Sequence, residues 1–387
     1  MRMPGRADRT VFGRWFWTVD RPLFILFLIL ISLGLIAVAA ASPAASQRLS
    51  GANFKLPELF FLKRQFMWVA IGLPVLIGVS LLPKDLVRRL AVLGTGLGLL
   101  LLASLPVIGA EINGAIRWIQ FGGFQLQPSE FLKPAFVVTT AWILSLRFDD
   151  EQLPVFSLAG SLLAVTAGLL VIQPDYGQTL LIGAVWAGQA LLAGLSLAWV
   201  AALGVAAIAV LGAGYVFSPH ISGRIDRFLT GEGDTYQADR ALDALRSGGL
   251  FGTGPGGGEA KYSLPEPHTD YIFAVIGEEF GILACIAVAG IFLAMVIRVL
   301  SQLIEEEDPF VTLAASGLAA QIALQAFVNM GVATSLLPSK GMTLPFISHG
   351  GSSFIALCLT AGMLLALTRR NRFLKASPFG AKLQAAE

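Results

Sequence analysis

Charge is scarce in this chain: only 13% of its 387 residues are Asp, Glu, Lys or Arg, about half the ~25% of a soluble globular domain. With 55% of the residues hydrophobic, that shortage excludes an ordinary soluble fold and points to a membrane protein. The formal net charge is only +2, and the basic residues form no stripe interleaved with aromatics, which excludes polynucleotide binding. Cysteine is nearly absent. Cys285 and Cys358 both fall in apolar segments, away from any CxxC or Cys/His cluster, so zinc and dithiol chemistry have no ligands here and both read as small hydrophobes facing lipid or helices. A nucleotide cradle is missing as well. Gly252, Gly254 and Gly257 match GxGxxG in GTGPGGG, but without the preceding strand and following helix that give the motif meaning; the stretch reads as a flexible lid or hinge.

What the chain has instead is long apolar runs. A membrane-spanning helix needs about 20 such residues, and ten candidate spans lie near 22–42, 66–82, 90–109, 131–146, 154–173, 177–194, 196–217, 271–297, 311–331 and 352–368. The first is too long for a signal-peptide core and is expected to remain as an anchor. An even count puts both termini on one side. That side would carry fifteen Lys and Arg against seven on the other, once the long 218–269 loop is set aside, so the termini are expected to be cytoplasmic. The expected fold is thus an all-α integral membrane protein of about ten transmembrane helices. It divides into a basic tail (1–21), a membrane domain (22–368) with a large external loop (218–269), and a second cytoplasmic tail (369–387). Within the loop, ADRALDALRSGG at 238–249 spaces its apolar residues on one helical face, which suits a short amphipathic helix on the membrane surface or one packed on the rest of the loop.

Ionisable groups within or at the ends of membrane helices are costly and mark a site by default. Four outward stretches hold them. GAIRWIQFGGFQLQPSEFLKPAF at 114–136 places Arg117 and Trp118 at the interface, Ser129 as a helix cap, and Glu130 and Lys133 one turn apart so that they can pair. QPDYGQT at 173–179 breaks a helix and exposes Asp175, for which a capping role suffices. YSLPEPHTDYIFAVIGEEFG at 262–281 carries Asp270 near a helix start, where it or Thr269 could cap. Glu278 lies about 12 Å further along a continuous helix. It and Glu279 are expected to be structural acids, paired with a buried donor. LLPSKGMTLPFISHGGSSF at 336–354 is irregular backbone, tolerated at membrane depth only inside protein or along a cavity; Lys340, Ser348, His349, Ser352 and Ser353 would line it. Acids and bases converging on an outer cavity suit a lipid with an anionic head group. A membrane-linked diphosphate would meet Lys133, Arg117 and Lys340, with Asp270 as a general base.

At these four stretches, in order and over about Trp17 to Thr368, the sequence resembles the SEDS family (shape, elongation, division and sporulation), and Lys340-Gly341 before MTLPFIS is similar to its division branch. The resemblance implies a ten-helix peptidoglycan glycosyltransferase that polymerises lipid II on the outer face of the cytoplasmic (inner) membrane at the septum. It implies as partners a class B penicillin-binding protein and other division proteins. Asp270 of the His268-Thr269-Asp270 motif would be the catalytic acid-base group. Lys133 after QPSE would neutralise the diphosphate, with Arg117, Glu130, Lys340, His268, Ser348, Ser352 and Ser353 around the substrate. No cofactor is implied, and a divalent cation at the diphosphate is left open. Two positions depart from the family pattern: Gln125 stands where arginine is common, a charge Arg117 could replace, and His349 stands for tyrosine, which could change pH sensitivity. Flipping of lipid II, or scaffolding without catalysis, are the rival roles.

Overall fold

The computed structural model describes residues 10–369 except 52–53, 113–114, 123, 218–235 and 339–340. Lys340, residues 1–9 of the first tail and 370–387 of the second therefore lie outside the described residues. A short helix α1 (Val11–Thr18) leads into α2 (Arg21–Leu49), α3 (Phe60–Ser80) and α4 (Lys84–Ile108). A small antiparallel sheet follows, β1 (Ala110–Ile112), β2 (Ala115–Phe121) and β3 (Phe124–Leu126), in the order β1-β2-β3. Then come α5 (Pro128–Ser145), α6 (Val155–Ile172), α7 (Tyr176–Leu192), α8 (Leu197–Phe217), α9 (Tyr236–Gly248), α10 (Ile272–Leu303), α11 (Pro309–Ala333) and α12 (Gly351–Leu367).

Each of the ten predicted spans coincides with one of these helices. Seven, α2 to α6, α10 and α11, are long and apolar enough to cross a membrane; α7 and α12 have 17 residues each and α8 has 21. The sheet was not anticipated, although the Gly122-Gly123 pair between two apolar alternating runs is a hairpin signal. Its register pairs Ile119 with Leu126 and Phe121 with Phe124.

Two helices are more enclosed than the rest. α5 and α11 pack on each other and bury most of their surface, and their polar residues therefore face protein rather than lipid. On α11 these are Gln321, Gln325 and Asn329, all at most 2% exposed. Four-residue spacing puts them on one face, turn above turn. α9 follows the predicted amphipathic pattern but rests on α10 rather than on a bare membrane surface: Ala241, Ala244 and Gly248 are buried, and a Cβ on Gly248 would come within 1.9 Å of the Gly277 carbonyl.

α10 is not continuous. Gly281 has φ 81° and ψ 175°, a region open essentially to glycine alone, and a Cβ there would lie 2.3 Å from the Leu250 carbonyl oxygen. The loop after α9 fills the break. Thr253 N donates to Glu278 O (2.9 Å), Gly254 N to Glu279 O (3.1 Å) and Ile282 N to Gly249 O (3.0 Å). The GTGPGGG stretch, which read as a flexible lid or hinge, is thus seated as a wedge that pairs backbone groups freed by the break.

Candidate active site

Asp270 lies just before α10. The capping alternative is settled by the helix itself, since the N-cap position is Tyr271, not Thr269 or Asp270, and its side chain makes no capping bond. Three successive carbonyls hold this segment. His268 O accepts from His349 N (2.8 Å), Thr269 O from Ser348 Oγ (2.7 Å) and Asp270 O from Asn329 Nδ2 (2.8 Å). Asn329 Nδ2 also donates to Met342 O (2.6 Å), and Ser348 Oγ accepts from Leu344 N (2.7 Å). The backbone at Asp270 is thereby pinned between α11 and the irregular 341–350 segment. Its side chain is left half-buried, and among the described residues nothing hydrogen-bonds its carboxylate. One oxygen instead faces Gly341, where a Cβ would approach Oδ2 to 2.8 Å. Burial first, and the Glu266 carboxylate second, push the Asp270 carboxyl up to about 7.

Lys133 sits one turn into α5 and is 1% exposed. Its Nζ donates to Glu130 Oε1 (2.9 Å) and to Gln325 Oε1 (3.0 Å). Glu130 Oε1 also accepts from Gln178 Nε2 of α7 (2.8 Å), while Glu130 Oε2 and Gln178 Oε1 are buried with no partner among the described residues. Gln325 Nε2 continues to Thr343 O (3.1 Å), and Thr343 Oγ1 shares a hydrogen bond with Ser353 Oγ at the start of α12 (2.8 Å). Ser352 beside it is also buried. Gln325 and Asn329 are one turn apart on α11, so a single helical face bonds the predicted cation and the predicted base. Ser129 does not cap α5, whose N-cap is Gln127 without a side-chain bond; it is buried in the first turn.

Arg117 is used differently from the expectation. From β2 it donates Nε to Gln173 O (3.0 Å) and Nη2 to Pro174 O, with Nη1 3.9 Å from Asp175 Oδ1. Its guanidinium clamps the α6–α7 turn, and Asp175, 3% exposed, serves that clamp without a capping bond on α7. Gln125 is exposed on β3, and Arg117's bonds to the turn lend no support to its replacing the charge missing there.

His268 and His349 flank Phe61, with ring centroids 4.0 and 5.3 Å from it and 5.6 Å from each other. His349 Nδ1 shares a hydrogen bond with Gln65 Oε1 (3.0 Å). Burial pushes His268 down to about 4; burial, then the neighbouring His268 and Arg64, push His349 down to about 3. Both rings are therefore neutral at physiological pH. The sensitivity anticipated from His349 in place of tyrosine has no titration near neutrality to rest on.

Glu278 and Glu279 form a separate cluster. Glu278 accepts from Ala260 N (2.7 Å) and Lys261 N (2.9 Å), and Lys261 Nζ donates to Glu279 Oε1 and to Ala40 O of α2 (3.1 Å). The expected buried donor is Lys261, itself 1% exposed. Sequence reasoning passed over it because it sits in a loop. It also passed over Gln325, Asn329 and Gln178, although amides at four-residue intervals in an apolar helix are a legible signal. No group of three or more His, Cys, Asp or Glu among the described residues is placed to hold a metal ion.

This arrangement has relatives. Residues 20–373 match the FtsW, RodA and SpoVE cell cycle protein model. The chain belongs to this family, the SEDS proteins. As a SEDS protein it is 41% identical over 366 residues, covering 94% of this chain and 93% of its relative, to the probable peptidoglycan glycosyltransferase FtsW of Caulobacter vibrioides. It is 36% identical over 361 residues to the FtsW of Trichlorobacter lovleyi, covering 90% of this chain and 93% of that protein. Among solved structures, a chain of a peptidoglycan synthase complex that coordinates polymerization and crosslinking superposes with a TM-score of 0.76 at 26% identity, covering 90% of this SEDS chain and 97% of that one. The rod shape determining protein RodA of Thermus thermophilus does so with a TM-score of 0.67 at 27% identity, covering 90% and 96%.

Proposed function

We propose that this SEDS protein is a peptidoglycan glycosyltransferase that polymerises lipid II into glycan strands at the outer face of the cytoplasmic membrane, at the division septum, with a class B penicillin-binding protein as crosslinking partner. The observation that carries the reading is Asp270: a half-buried carboxylate, its backbone fixed by three consecutive carbonyl bonds and its oxygens free of described donors. An acid held in this way, with its proton affinity raised toward neutrality, is suited to general base catalysis. It takes the proton of the 4-hydroxyl on the GlcNAc of one lipid-linked chain as that oxygen attacks the anomeric carbon of the MurNAc of another. The bond to undecaprenyl diphosphate breaks, and the leaving group departs as an anion that needs charge neutralisation more than a proton.

Lys133 supplies that positive charge, with its orientation set by Glu130 and Gln325. Ser348 and His268 act through the backbone of the Asp270 segment, Ser353 through Thr343, and Arg117 through the turn it clamps. The relatives' names support the transferase class, and the match to a synthase complex supports a crosslinking partner.

The test is reconstitution of the purified protein with its transpeptidase partner and lipid II, comparing wild type with Asp270→Ala. Glycan strands are expected from wild type, and a loss of about 10²–10⁴ in rate from the variant. Strands at equal rates from both would refute Asp270 as the base; none from either would favour flipping or scaffolding.

A further inference from the structure

We infer that Lys261 is a positioning residue for Asp270: it latches the 249–271 loop onto the broken α10, and the latched loop delivers the carboxylate to the site. This rests on the reading of Asp270 given above.

The loop has no regular helix or strand between α9 and α10 beyond a single 3-10 turn at Ala260–Tyr262, so its shape depends on its ties. Its first stretch is wedged into the break at Gly281 through backbone bonds. Its middle is held by Lys261, whose amide and ammonium group bind neighbouring acids on α10 and whose ammonium also reaches Ala40 O on α2. Three residues on, Leu264 O accepts from Arg48 Nη1 of α2 (3.1 Å). The final ties are the carbonyls of 268–270. Backbone bonds alone would leave the middle free to slide, because a peptide group offers the same donor and acceptor at every residue. A buried lysine facing a buried glutamate fixes one register, since a shift by one residue would leave both charges unpaired in a dry place. Close packing admits no slack: a Cβ on Gly258 would lie 2.7 Å from the Glu278 carboxyl carbon, and one on Gly252 would lie 2.1 Å from the Glu279 carbonyl oxygen.

A latch that served only folding could be replaced by a neutral pair without affecting turnover in the folded protein. A latch that positions Asp270 could not, because misplacing a reacting group by about 1 Å costs on the order of a hundredfold in rate. The variant to make is Lys261→Met/Glu279→Gln in the full-length protein, which removes both charges together and so leaves no lone buried ion. Two readouts are taken on the same preparation. Hydrogen exchange is followed on peptides covering 344–349, because the His349 amide donates to His268 O, and on peptides from α5 and α11 as controls. Exchange is expected to rise at least about tenfold at 253–261 and at 344–349, with the controls unchanged. With lipid II and the transpeptidase partner, kcat is expected to fall about 10–100-fold with KM within about threefold. Exchange that rises at 253–261 but not at 344–349, or an unchanged kcat, overturns the inference. Wild-type protein that makes no glycan would sink the polymerase reading, while the exchange data would still decide the latch.

Discussion

Replacing Lys133 by methionine separates its two roles. In the folded protein its ammonium group is 2.9 Å from Glu130 Oε1 and 3.0 Å from Gln325 Oε1. The single variant leaves Glu130 a buried carboxylate with one described donor, Gln178, and leaves Gln325 Oε1 without one. Breaking a buried ion pair from one side costs about 3–5 kcal/mol. An amide oxygen losing its donor costs about 1–3 kcal/mol. The two are not additive, because the same cavity can admit a water or repack, so the expected loss is about 3–5 kcal/mol in detergent unfolding titrations. Adding Glu130→Gln removes the stranded charge and is expected to bring stability back to within about 1 kcal/mol of wild type. Turnover of lipid II should not return, since the diphosphate still lacks its cation; both variants are expected about 10²–10³ below wild type. A double variant that regains wild-type turnover would refute the role of Lys133 at the leaving group. A single variant as stable as wild type would refute the dry, paired site.

Three further outcomes follow from the same structure. Because the carboxyl of Asp270 is pushed up to about 7 and only its ionised form accepts a proton, turnover should fall as pH drops through about 7 and level off above it. Glu266→Gln, which removes the second cause of that shift, should move the midpoint down, and a flat profile from pH 5 to 8 would count against the assignment. Gly281→Ala forces a side chain into a backbone region that costs about 1–3 kcal/mol and against the Leu250 carbonyl; it should lower unfolding stability by at least that much, which the same titration reads. His349→Tyr should leave the pH midpoint of turnover unmoved, because the imidazole it replaces is already neutral; a shift of the midpoint would show that the ring titrates in the working range.

The spans, the charged clusters and the pairing of Glu130 with Lys133 were legible because they follow from local rules: length of apolar run and three-residue spacing on a helix. The partners of those groups were not. Gln325 and Lys133 are 192 positions apart and Asn329 and Asp270 are 59 apart, and no periodicity in one segment announces which distant face it meets. Arg117 illustrates the same limit, since its chemistry suits phosphate or carbonyl oxygens equally and only the folded turn at 173–175 decides between them. The break at Gly281 was hidden for another reason: GEEFGIL reads as uninterrupted helix unless the loop that fills the gap is known.

That break divides α10 into two stretches. From Ile282 to Leu303 α10 runs roughly 22 residues, about 33 Å at 1.5 Å per residue, enough alone to cross a hydrocarbon layer of about 30 Å. The stretch before it, Ile272 to Glu279, is buried within protein. Its two glutamates, Glu278 and Glu279, are buried in protein and so escape the ~2.5–3.5 kcal/mol insertion cost that a charge at the bilayer centre carries. A helix that looks in sequence like one overlong crossing is an ordinary crossing with a protein-facing turret on top, and the turret can carry charges that the crossing could not.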